Sequence, residues 1–258
     1  ERWSNLFFFT LTSTDYANGV VDVLTRLREE GKIKGKVAIV NVADQFGLEL
    51  SKAAREGLKK AKFDIVYDQS YPLGSQELQT ILNEVRRREP EAFLAFSYPP
   101  DTMALNDQAK VVGFNPKVFY TAIGTVFPMF KNRFGANADG VMGLGGVSAE
   151  LPATRDYRER HLAMFKQEAD YNGSAVTYAT LQILQQAITR AGSIDRKAVS
   201  EQIRTGSFET VLGPVKLTNR LWAEASSVGQ WQGGVFQPIS PKSAIGVKPA
   251  VFPKPEWK

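Results

Sequence analysis

Between residues 15 and 125 the apolar positions switch repeatedly between a helical and an extended period. Residues 15–30 place Val20, Val23, Leu24 and Leu27 on one helical face, and Gly31 closes that segment. The run Lys36-Val37-Ala38-Ile39-Val40-Asn41-Val42 follows, nearly continuous in apolar character, as strands covered on both faces are. The same alternation predicts a helix over 47–61 and a strand over 64–67, then a helix over 76–88 and a strand over 92–97. A last cycle predicts a helix over 102–113 and a strand over 117–121. Repeated strand and helix units of this length imply right-handed crossovers and a parallel sheet with helices on both faces. In such sheets ligands sit beyond the carboxyl ends of the strands. The loops 43–47, 70–74, 98–101 and 122–127 are therefore the ones expected to carry function.

After Gly140 the pattern changes. Val141-Met142-Gly143-Leu144-Gly145-Gly146-Val147 is a glycine-rich extended stretch, and three helices follow it without intervening strands, over 155–171, 174–191 and 195–205, the last with Ser193 as its cap. Consecutive helices do not continue the first sheet, so a second lobe is expected, with crossings near 145–149 and 210–217. Residues 222–232 and 235–239 around Gly233-Gly234 read as an extended pair, and the proline-rich tail from Pro238 as an extended strap on the surface.

Composition narrows the chemistry. The chain has no cysteine and a single histidine, His161, which removes thiol catalysis, disulfides and most metal sites, and no cofactor is expected. The net charge of +5 comes from 32 basic and 27 acidic residues interspersed along helices, without the basic stripe and stacking aromatics of a nucleic-acid surface. No apolar run approaches the length of a membrane span. Gly143, Gly145 and Gly146 do not form a dinucleotide loop, because Pro152 intervenes before the next helix, and they fit a crossing segment better. Asp44, Asp101 and Asp107 form no recognisable catalytic pair, and no serine lies in a nucleophile elbow. An enzyme is not expected.

Several ordered motifs carry a resemblance. Phe8-Phe9-Thr10-Leu11-Thr12-Ser13-Thr14-Asp15, Lys36-Val37-Ala38-Ile39-Val40 with Ala43-Asp44-Gln45-Phe46-Gly47, and Thr177-Tyr178-Ala179-Thr180-Leu181-Gln182 are three of them. Phe208-Glu209-Thr210-Val211-Leu212-Gly213-Pro214-Val215, the Gln230–Pro238 stretch and Val251-Phe252-Pro253-Lys254-Pro255-Glu256-Trp257 follow in the same order. Together they resemble the solute-binding proteins of branched-chain amino acid ABC importers. The resemblance implies a two-lobed type I periplasmic-binding fold in which parallel sheets are flanked by helices, with the first lobe incomplete in this chain. It divides the chain into 1–14 (end of lobe 1 and first crossing), 15–145 (lobe 2), 146–213 (remaining helices of lobe 1) and 214–258 (return crossing and extended C-terminal segment). The chain begins at Glu1 without methionine or a leader pattern, and is expected to be a processed product or part of one. It implies a periplasmic location, closure of two lobes on a small molecule, delivery to a membrane permease, and an N-terminal part supplied as a separate chain or region.

Carried over by position, the resemblance places the ligand against Phe46, Tyr98, Thr121, Ala122, Ile123 and Phe127. Where amino-acid-binding members hold an acidic residue against the ligand ammonium, this sequence has Ile123, and an ammonium left without its counter-charge is poorly compensated. Phe46, Tyr98, Ile123 and Phe127 make an apolar, aromatic wall, with Thr121 and backbone amides fixing polar ends. The expected ligand is a small hydrophobic or aromatic carboxylate. The alternatives are a branched-chain amino acid or amide, or a sensory ligand-binding module on the same fold.

Overall fold

The computed structural model describes residues 5–222 and 224–258. The first helix, α1 (Ser13–Glu29), starts where Thr12 and Asp15 cap each other: the Asp15 amide donates to Thr12 Oγ1 at 3.2 Å, and the Thr12 amide donates back to the Asp15 carboxylate at 3.2 Å. The threonine-rich turn thus fixes the start of the helix. Then come β1 (Lys36–Val42), α2 (Gln45–Lys60), β2 (Asp64–Tyr71), α3 (Gln79–Arg87), β3 (Ala92–Phe96), α4 (Pro99–Val111), β4 (Val118–Thr121), α5 (Pro128–Phe134) and β5 (Val141–Leu144). Every strand–helix cycle predicted from the apolar period is present.

The strands form a seven-stranded sheet in the order β2-β1-β3-β4-β5-β8-β9, with β8 (Val228–Gln232) and β9 (Val235–Ser240) as its last two members. β1 to β5 pair in parallel, whereas β8 runs antiparallel to both β5 and β9. The sheet therefore continues past residue 145, because the hairpin near the C-terminus returns to it. Two apolar layers cover it. Val20, Leu24 and Leu27 of α1 and Leu50, Ala54 and Leu58 of α2 lie on Val37, Ile39, Leu94 and Tyr120. On the opposite face Leu82, Val85 and Leu105 meet Val40, Phe93 and Phe119, with Trp231 fully buried and its indole N–H donating to the Thr125 carbonyl at 2.8 Å. Alternate residues of β1, β3 and β4 serve alternate layers, which is why those runs are almost wholly apolar.

The helices α6 (Pro152–Phe165), α7 (Gly173–Ala191) and α8 (Arg196–Thr205) enclose a separate apolar cluster with the small hairpin β6 (Ser207–Thr210) and β7 (Gly213–Lys216). Phe7 and Phe9 at the start of the described chain pack against it. α7 nevertheless leaves Leu181 60% exposed, and α6 leaves Phe165 60% exposed.

Some boundaries differ from expectation, each for a local reason. α4 begins at Pro99 and not at 102, because proline at the first helical position surrenders no bonded N–H and Asp101 satisfies the Tyr98 amide at 3.0 Å. α6 stops at Phe165 and not at 171, where Lys166 turns left-handed at φ 56°. Asp195, not Ser193, caps α8: its carboxylate accepts from the amides of Lys197 and Ala198 at 3.0 Å, while Ser193 Oγ accepts from the Asp195 amide. The extended pair expected from 222 begins as strand only at Val228, and Ala223 lies outside the described residues, as do residues 1–4 of the expected first crossing. The C-terminal tail expected to be extended from Pro238 instead completes β9, turns over residues 241–246 and only then runs without regular structure, held by the Trp257 indole N–H on the Phe114 carbonyl at 2.9 Å.

Candidate functional site

β1 ends at Val42, and α2 starts so close behind it that a Cβ at Gly47 would lie 2.1 Å from the Val42 carbonyl oxygen. Glycine is required there by the approach. Asp44 caps this start through one carboxylate oxygen, which accepts from the Gly47 amide at 2.9 Å. Its other oxygen accepts from the Tyr98 hydroxyl at 2.9 Å. Tyr98 itself precedes α4, and its ring stacks on Phe46 with centroids 4.8 Å apart and planes 25° from parallel. The ends of β1 and β3 are thus tied by one aromatic stack and one charged hydrogen bond.

Beneath the stack, Asp101 accepts from the Tyr98 amide through one oxygen and from the Tyr71 hydroxyl through the other. Burial raises the Asp101 carboxyl above the usual carboxylate range, and the Tyr71 hydrogen bond opposes that rise. The Tyr71 hydroxyl is pushed far up by its own burial and by the Asp101 charge. Tyr98 is raised as well, by burial first and then by the Asp44 carboxylate that accepts its proton. Asp44 and Asp101 are the only charged side chains in the loops 43–47, 70–74, 97–101 and 121–127. These four loops carry no basic side chain.

The six residues expected to line the ligand divide into two groups. Phe46, Tyr98, Ile123 and Phe127 are half-buried, and Phe46, Tyr98 and Phe127 rest on the edge of the same apolar layer. Thr121 and Ala122 are wholly buried. The Thr121 hydroxyl is already shared with Thr125 Oγ1 at 2.7 Å and accepts from the Asn106 amide at 3.1 Å. Both Ala122 backbone groups are engaged, the N–H with the Ala95 carbonyl and the C=O with the Leu144 amide. These two residues support the wall from below and offer it no open polar group. Sequence reasoning weighed Asp44 and Asp101 only as a catalytic pair, and did not count them or Tyr71 among the candidate binding residues. Asp44 had a readable signal as an acidic residue at a helix start, whereas Tyr71 reaches Asp101 across neighbouring loops and leaves no local trace.

Gly145 and Gly146 adopt φ values of 81° and 124°, which other residues rarely take, and no helix starts until Pro152. The stretch carries the chain away from β5 and forms no phosphate-binding turn. Among the described residues no three acidic or histidine side chains are grouped to hold a metal ion, and no helix is long and apolar enough to cross a membrane.

Comparison with known proteins places this geometry. The profile described as periplasmic binding protein matches residues 3–234. The Leu/Ile/Val-binding protein of Escherichia coli (strain K12) is 24% identical over 204 residues, covering 78% of this chain and 53% of its own. The Leu/Ile/Val-binding protein homolog 7 of Brucella suis biovar 1 is 22% identical, covering 89% of this chain and 62% of its own. The chain therefore spans about half the length of the E. coli relative. Among solved structures, a solute-binding protein of an ABC transporter from R. palustris, in complex with benzoate, superposes with a TM-score of 0.76 at 15% identity over 96% of this chain and 68% of that one. A leucine-, isoleucine-, valine-, threonine- and alanine-binding protein from Brucella ovis, in a closed conformation, gives 0.74 at 15% identity over 95% of this chain and 66% of that one. With a family match over residues 3–234, on a mainly parallel sheet flanked by helices, the chain belongs to the periplasmic binding protein family.

Proposed function

We propose that the chain is the ligand-gripping part of an extracytoplasmic solute-binding protein for an ABC importer, and that its solute is a small hydrophobic or aromatic carboxylate. The observation carrying this reading is the Phe46–Tyr98 stack at the carboxyl ends of β1 and β3, flanked by half-buried Ile123 and Phe127. A flat apolar body gains most on such a wall. The benzoate complex of the R. palustris neighbour supports the same ligand class. With Asp44 and Asp101 as the only charges in these loops, the solute's carboxylate would point away from them, toward the remainder of the first lobe. That remainder, on this polypeptide or on a separate one, would seat on the exposed face of α6 and α7 around Leu162, Phe165, Tyr178 and Leu181. Closure of the lobes about the crossing segments would trap the solute and present the closed form to the membrane permease in the periplasm.

A second reading is favoured by one observation. The Asp44 carboxylate, half-buried and bonded to Tyr98, is able to receive an N–H donor, which suits a branched-chain amino acid or an amide. The Leu/Ile/Val-binding relatives support this alternative.

Thermal unfolding of the complete protein with benzoate, phenylacetate, leucine and leucinamide separates the two. Carboxylate-only ligands are expected to raise the melting temperature, and Phe46→Ala is expected to abolish the rise. A rise with leucine alone, lost in Asp44→Asn, would establish the second reading. No rise with any of the four would refute both.

A further inference from the structure

We propose that a groove at the C-terminal end of α1 is a second binding site, for a small amphiphilic anion with a carboxylate-like head and a short apolar tail. The groove encloses about 420 Å³, within the range of small-molecule sites. Val23 and Leu27 of α1, both buried, form its floor, and Val247 and Ala250 extend the apolar surface from the C-terminal tail. Its rim carries Arg26, Lys32, Lys242 and Lys248 against a single acid, Glu30.

The charges do not cancel. Lys32 pairs with Glu30 at 2.7 Å, and Lys248 with Glu150 at 2.6 Å. Arg26 donates through Nη2 only to a neutral group, the Ile239 carbonyl, at 3.1 Å. Lys242 takes part in none of the ion pairs formed among the described residues. Arg26 and Lys242 thus face the apolar floor outside any of these ion pairs, and the one acid on the rim, Glu30, is already paired with Lys32. The Glu30 carboxyl registers the same field: Lys32 lowers it first, and Arg26 and Lys242 lower it further. The dipole of α1 accounts for a basic residue in its last turn. It does not account for Lys242 and Lys248, which the chain brings to the same groove from beyond β9.

The groove is remote from the candidate solute site. Ser13, at the first turn of α1, donates to Glu49 of α2 at 3.2 Å, which places that end of α1 beside the first turns of α2, which bear Phe46. Arg26 lies thirteen residues further along, about 20 Å away at the rise of an α-helix. An anion in the groove would therefore bind independently of the importer's solute.

Calorimetric titration of octanoate into the complete protein at low ionic strength tests the site. Saturable binding is expected, weakened at least tenfold by Arg26→Gln combined with Lys242→Gln, and unchanged by Phe46→Ala. Octanol, which lacks the charge, is expected to compete at least tenfold more weakly. Lys242→Glu, a change at an exposed side chain, provides a second variant whose folding is not in question, and it too is expected to weaken binding. Octanoate binding that survives both variants, that disappears in Phe46→Ala, or that is absent at millimolar concentration would overturn the proposal.

Discussion

Lys254 holds an ammonium group almost out of reach of water. The residue is 3% exposed, and its Nζ donates to Asn115 Oδ1 at 2.7 Å and to the Pro255 carbonyl at 2.8 Å, 3.3 Å from the centre of the Trp257 ring. Burial lowers it from 10.5 to about 8. Above pH 8 the folded chain releases this proton while the unfolded chain keeps it until about 10.4. The unfolded state then binds more protons, so stability is expected to rise between pH 8 and 10, by at most about 1.4 kcal/mol per pH unit. Above pH 10 the buried Tyr16 and Tyr120, whose hydroxyls titrate higher than usual because they are buried, oppose the trend. Urea unfolding across this range checks the slope, and Lys254→Met is expected to flatten it. At the site, Tyr98→Phe keeps the ring against Phe46 and removes only the O–H to Asp44. Its cost to stability is expected to be about 1 kcal/mol by urea unfolding. Of the candidate residues, Phe46 and Tyr98 were named through the family resemblance, in loops that the apolar periods had already placed at the ends of β1 and β3. The partnership of Asp44 with Tyr98 was not legible, since 54 residues separate them and only the parallel pairing of β1 with β3 brings their loops together.

At the level of elements, the starts of α2 and α8 offer the sharpest tests. In Gly47→Ala the added methyl has no room beside the Val42 carbonyl, so α2 must shift away from β1. Destabilisation beyond about 2 kcal/mol is expected by urea unfolding, together with loss of ligand-induced melting shifts, because Phe46 rides on the same turn. Asp195→Ala is expected to cost about 1 kcal/mol and Ser193→Ala distinctly less, since Asp195 caps two helical amides while Ser193 serves only one outside the helix. Equal effects would reverse that assignment. Both residue types favour caps, and the sequence alone offered no means of ranking them. The helix that began three residues early, α4, shows the same limit: residues 98–101 were expected as a loop, yet a proline at a first helical position favours the helix that follows.

Across the whole molecule, the sheet and its two layers form one body of contacts, while α6, α7 and α8 rest on a cluster of their own with Leu162, Phe165, Leu181 and Leu184 exposed. Fewer buried apolar contacts mean a lower local free energy of opening. In this 258-residue chain the amides of α7 and α8 are expected to exchange with deuterium at least tenfold faster than those of β1, β3 and β4, as mass spectrometry of peptides would register. Equal protection would show that the helices are stabilised as fully as the sheet.

The alternation of periods by itself determined the class of the protein. The order of strands and helices from α1 to β4 and the burial of β1 and β3 on both faces follow from local spacing, because backbone geometry converts a period directly into a face. Tertiary structure alone decided which loops meet. It returned β8 and β9 to the edge of the parallel sheet, sank Thr121 and Ala122 beneath the wall they were expected to line, and set two carboxylates around Tyr98. Each of those outcomes depends on contacts between residues far apart in the chain, and no local pattern records them.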